Sequence, residues 1–141
     1  MAIKMRVLYA SSKKKVADMA AMIHSEFQLP VNAIDKIPTA YSCDKERLVV
    51  LMLSVKGEPT DQLRLFCSEL TKARAQNVAL VIQGNEAAAN RMKEILAGAG
   101  TNVIDEVFYI NCAFLPFLDS IKPEEKAELL AWAHRVVDNL Q

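Results

Sequence analysis

The chain lacks any surplus of charge: seventeen basic residues stand against seventeen acidic ones in 141. Without a net field, nothing draws it toward nucleic acid or an anionic membrane surface, and neither is expected as a partner. Long apolar runs are also missing. None approaches the roughly 20 residues that a membrane-spanning helix needs. The short apolar stretch near the N-terminus leads straight into a polar turn, unlike a signal peptide, so a cytoplasmic location is the expectation. Cysteine is scarce: Cys43, Cys67 and Cys112 are widely spaced and odd in number. That argues against a disulfide framework and for reduced thiols. Two distant histidines, His24 and His134, offer no paired-ligand spacing for a structural metal. Aromatics make up only 6% of the residues, so a core must be built from aliphatic side chains.

What is present suits such a core. Hydrophobic residues reach 52%, and the length fits a single domain over residues 1–141. Ile3 to Tyr9 runs apolar as a buried strand, and Val16, Met19, Ala20, Ile23 and Phe27 then recur at helical spacing. Pro30 is expected to end that helix. Val31 to Ile34 reads as a short strand, and Asp35 to Glu46, with Pro38 and Tyr41, as an irregular connection. Leu48 to Ser54 is the strongest strand and must be central. Thr60 is a plausible N-cap for a helix whose inner stripe is Leu63, Phe66, Cys67 and Leu70, leaving Leu65 on the outside.

Val78 to Gly84 is another buried strand. A helix follows from about Glu86, with Ala88, Met92, Ile95 and Leu96 inward and Gly98 at its end. Val103 to Ile110 is the last strand, interrupted by Asp105 and Glu106 as a sheet edge tolerates. Pro123, Glu124 and Glu125 open a final helix with the stripe Leu129, Leu130, Ala133, Val136, Val137 and Leu140. Trp132 and the two histidines lie at stripe edges and read as packing or solvated groups. Cys67 reads as packing, and Cys112 as an inert thiol near the sheet's carboxyl end.

Strands alternating with helices in one run imply a parallel sheet with helices on both faces, an α/β three-layer sandwich. Ligands bind such sheets at the carboxyl ends of the strands, near the switch in strand order. Three turns belong there: Ser11 to Val16, Ser54 to Pro59, and Gln83 to Glu86. The first leads from a strand into a helix, and so aims backbone N–H groups and a positive helix end at an anion, most simply a phosphate. No nucleophile–base–acid pattern, zinc motif or P-loop is visible, which favours a carrier or binding protein over a catalyst.

Tyr9-Ala10-Ser11-Ser12-Lys13-Lys14-Lys15-Val16-Ala17-Asp18-Met19-Ala20 aligns without a gap with the phosphate loop of flavodoxins, the FMN-binding electron carriers. Val55-Lys56-Gly57-Glu58-Pro59 is similar to the family's second turn, and the strand ending at Gly84 to the turn on the other side of the flavin. Gly98 to Val103 resembles the approach to its last strand. The resemblance spans nearly the whole chain. It implies a five-stranded parallel sheet in order 2-1-3-4-5 and FMN as cofactor. Ser11, Ser12, Lys13, Lys14, Lys15 and Val16 would lie at the phosphate, and Val55, Lys56, Gly57, Gly84 and Asn85 would flank the ring. A redox protein would be the partner, and a flavin or other small-molecule anion the ligand.

The departures are specific. Lys13, Lys14 and Lys15 stand where Thr, Gly and Asn are usual, and Val16 replaces a Thr hydroxyl. Lys56 and Asn85 stand where aromatics normally sandwich the ring. Three ammonium groups can replace lost hydroxyls at a phosphate, or form a solvated charge run at a surface turn. Two readings remain open: an FMN-binding electron-transfer protein, or a flavodoxin-like domain without flavin that serves as a binding or regulatory module.

Overall fold

The computed structural model describes residues 3–29, 33–37, 43–111 and 121–140. Its elements are β1 (Met5–Ala10), α1 (Lys14–Glu26), β2 (Ile34–Lys36), β3 (Glu46–Ser54), α2 (Asp61–Ser68), β4 (Ala75–Gln83), α3 (Glu86–Ala99), β5 (Asn102–Val103), β6 (Phe108–Tyr109) and α4 (Pro123–Asp138). The sheet runs β2-β1-β3-β4-β5, with β6 also pairing β4, and every pairing is parallel. Pro30, Val31, Pro38, Tyr41 and Cys112 lie outside the described residues.

The period-2 alternation of the central strands explains the layers. Leu8, Val49, Leu51, Leu53, Val78, Leu80 and Ile82 face one side and pack with Leu63 and Cys67 of α2 and Ala88, Met92 and Leu96 of α3. Val7, Leu48, Val50, Met52, Ala79 and Val81 face the other and meet Val16, Met19 and Ile23 of α1 and Leu129, Trp132 and Val136 of α4. Both faces of β3 are thus dry, which is why it reads as an unbroken apolar run. Trp132 proves to be central to its stripe, buried against Phe108 with ring centroids 6.0 Å apart. Leu65 is exposed on the outer side of α2, as its spacing requires.

Several boundaries differ from the sequence reading. The first helix stops at Glu26, short of Pro30: Gln28 adopts φ +49°, its N–H donates to Ser25 O, and the Leu29 N–H reaches back to His24 O. That is a Schellman closure made without glycine. The helix after β4 ends on Gly100, at φ +106°, while Gly98 remains inside it. The expected fifth strand is two short ones. Val103 is level with Val78 and Phe108 with Val81, so five residues on one side span three on the other. The excess bulges out at Asp105 and Glu106, whose carbonyls accept from Lys93 Nζ at 2.9 Å and Trp132 Nε1 at 2.9 Å.

Candidate functional site at the carboxyl edge of the sheet

Because β1, β3 and β4 are parallel and in register, Ala10, Ser54 and Gln83 all end at one edge. The chain leaves β1 toward β2 on one side and returns to β3 on the other, so the switch in strand order falls at the β1 turn. A cleft of about 470 Å³ opens there on the α2 side, within the size range of small-molecule sites. Ser11 Oγ and Ser54 Oγ lie 2.6 Å apart and tie the two turns together, while the Lys13 N–H donates to Ser11 Oγ at 3.0 Å. Ile37, Val55 and Leu63 supply apolar wall, and Ser12, Lys36, Lys56, Glu58 and Thr60 the polar lining.

Of the residues singled out in the sequence, Ser11, Ser12, Val55 and Lys56 line this cleft. The lysine run is divided. Lys13 is the exposed N-cap residue of α1. Lys14 points along the helix to Asp18, Nζ to Oδ2 2.6 Å. Lys15 is buried, its ammonium donating to Asn111 O at 2.6 Å and lying 2.8 Å from Glu125 Oε2 at the start of α4. Val16 lies in the core under α1 with no exposed surface. Lys15 and Val16 therefore face the α4 layer and not the cleft. Gly57 takes φ +76° at the tip of its turn. Asn85 is exposed and spends its side chain capping α3, accepting from the Ala88 N–H at 2.9 Å.

Gly84 is where backbone meets backbone. A Cβ there would lie 2.5 Å from Val55 O, on the turn that follows β3, and that turn is itself held by the Val55 N–H to Gln83 O bond of 3.2 Å. Gly84→Ala is expected to cost about 1–3 kcal/mol, the usual range for overpacking a site that cannot slide away. Urea denaturation measures it; an unchanged midpoint would mean that the two turns separate freely.

The four helix starts are not equivalent. Thr60 Oγ1 accepts from the Leu63 N–H at 3.2 Å and Asp61 follows it. Asn85 and Glu86 do the same for α3, and on α4 the Lys122 N–H donates to Glu125 Oε1 at 3.3 Å beside Glu124. Among the described residues α1 alone has neither a side-chain cap nor an acid in its first turn. Its positive end is left uncompensated beside Ser11 and Ser12.

The two described thiols, Cys43 and Cys67, are buried away from the cleft lining. Burial pushes Cys67 up to about 12 and Cys43 to about 11, the latter despite Arg6 nearby, so neither is a thiolate at neutral pH. Among the described residues no group of acids, histidines and cysteines could hold a metal, and no helix is long and apolar enough to cross a membrane. Two polar cleft residues lie outside the turns expected at this edge: Lys36 and Thr60. Lys36 pairs level with Tyr9 because β2 runs to it, two residues beyond the strand end expected at Ile34. Tyr109, half-exposed at the end of β6, adds an aromatic to the same edge, its hydroxyl titrating higher through burial and the Glu86 charge.

A solved structure of a short-chain flavodoxin associated with a bacterial microcompartment superposes over 97% of this chain and 99% of its own, with a TM-score of 0.69 and 13% identity. The chain has a flavodoxin-like fold. No family model and no curated protein matches its sequence.

Proposed function

We propose that this chain binds a phosphorylated small molecule at the carboxyl edge, with the phosphate on the turn between β1 and α1. FMN, held for electron transfer, is the ligand most consistent with the fold. The observation that carries this reading is the bare N-terminus of α1. A helix end carries about half a positive charge, and unsatisfied N–H groups there favour an anion. Ser11, Ser12 and the backbone N–H of Lys14 would supply the surrounding donors. Bound FMN would provide one- and two-electron chemistry. The chain would hold its phosphate at Ser11 and Ser12, with the close packing of Gly84 on Val55 O keeping the turns after β3 and β4 together beside it.

A second reading has its own support. Among the described residues no aromatic lines the cleft, and Lys56 and Asn85 occupy the ring-flanking positions as exposed polar groups. Without a stacking partner the fold serves as a flavin-free binding or regulatory module. Titration separates the two. Under the first reading the purified chain quenches FMN fluorescence with one site per chain, and riboflavin, lacking the phosphate, binds far more weakly. Colourless protein that leaves FMN fluorescence unchanged at high micromolar concentration would overturn the flavin reading and favour the second.

A further inference from the structure

The turn after β1 offers a phosphate only a partial positive charge, yet a phosphate monoester carries about −1.5 to −2 at neutral pH. Two of the three lysines in that turn are engaged elsewhere, Lys14 with Asp18 and Lys15 with Glu125. The cleft supplies others. Lys36 ends β2 on one side of β1, and Lys56 follows β3 on the other, so the two straddle the Ser11–Ser54 pair from opposite flanks. Neither ammonium has a carboxylate partner among the described residues. The acid that shares the cleft, Glu58, is held by Arg91, whose Nε donates to its two oxygens at 3.0 and 3.1 Å. Among the described residues the cleft therefore has two surplus positive charges beside the Ser11, Ser12 and Ser54 hydroxyls, and Ser11 and Ser12 belong both to it and to the turn before α1.

We infer that Lys36 and Lys56 select a dianionic phosphate monoester, closing on its phosphate from either side of Ser11 and Ser54. This rests on the reading of the β1 turn as a phosphate site, and it gives the charge recognition to residues outside the lysine run. As point charges on flexible stems, lysines suit a group whose charge changes more than its shape. Binding therefore follows the second ionisation of the phosphate, near pH 6. A ligand bearing one charge, or none, gains little from the second lysine.

The test uses the full chain, with Lys36→Gln/Lys56→Gln as the variant and Lys72→Gln/Lys126→Gln as a charge-matched control. Circular dichroism checks that each folds. FMN and riboflavin are titrated by fluorescence between pH 5 and 7.5, and stabilisation by inorganic phosphate is followed in parallel by thermal melting. The wild type and the control should bind FMN several-fold more tightly at pH 7.5 than at pH 5. The Lys36/Lys56 variant should bind at least ~10-fold more weakly at pH 7.5, with a flattened pH profile. If the variant matches the wild type in both, the inference is overturned while the flavin reading stands. If the wild type ignores FMN but is stabilised by phosphate, and only the Lys36/Lys56 variant loses that effect, the inference holds and the flavin reading fails. No response of the wild type to either ligand overturns both.

Discussion

Trp132→Ala is expected to destabilise the chain by about 3–5 kcal/mol, the range for removing a large aromatic from a packed core. Trp132 is 1% exposed and is the largest of the fully buried side chains. It fills the layer between α4 and the sheet, packing on Phe108. It also has a polar task, since its Nε1 donates to Glu106 O in the bulge between β5 and β6. The alanine variant thus leaves both a cavity and a carbonyl without its donor. Trp132→Phe isolates the second loss, keeping most of the bulk and costing about 1–2 kcal/mol. Thermal melting should show a fall in Tm of about 10 °C or more for alanine and much less for phenylalanine. A loss below about 1 kcal/mol for alanine would show that α4 does not dock through this side chain.

The layers of the fold were legible because burial imposes periodicity. Leu48 to Leu53 reads as continuous apolar sequence because residues on both faces of β3 are covered. Val16, Met19, Ala20 and Ile23 read as a helix because one stripe faces the sheet. Thr60 and Asn85 sit at helix starts, and their side chains cap them. What misled was closure chemistry. Pro30 is a conspicuous stop signal, but the helix before it stops at Glu26 and is closed by Gln28, whose left-handed backbone no rule of composition singles out. Gly98 and Gly100 are both credible caps, and only the φ of +106° at the second distinguishes them.

The site was legible in place and not in detail. Parallel topology puts the ends of β1, β3 and β4 together whatever side chains they carry. Ser11, Ser12, Val55 and Lys56 follow from that alone. The direction of each lysine does not. Three consecutive residues at the start of a helix point about 100° apart, so Lys13, Lys14 and Lys15 could not all face one anion. Lys15 is the one that turns inward, against the start of α4, whose position the sequence does not give. Lys36 was missed for the converse reason: β2 is three residues long, with no apolar run to mark its end, yet its pairing carries it to the cleft.

The inward lysine carries the other large effect. Lys15 is 4% exposed and Glu125 25%, and their 2.8 Å contact joins the start of α1 to the start of α4. Glu125→Ala takes this carboxylate away from the buried Lys15 ammonium, which also donates to Asn111 O. It should cost about 2–4 kcal/mol, somewhat less than for a fully enclosed pair because water can follow the missing carboxylate. Adding Lys15→Met should recover part of that loss, since the buried charge that Glu125 faces goes with it; urea melts at pH 7 of the two single variants and the double variant measure the coupling. The pH dependence supplies an independent check. Burial alone would raise the Glu125 carboxyl, but Lys15, the Lys122 N–H and the Lys122 charge outweigh it and hold the group below its ordinary 4.5. A carboxyl depressed in the folded state stabilises above the unfolded value and loses that contribution as pH falls through the folded one. Wild-type stability should therefore decline from about pH 4.5 downward, and Lys15→Met should decline less steeply over the same window. Equal acid slopes, together with an additive double variant, would mean that the contact between Lys15 and Glu125 contributes nothing to stability.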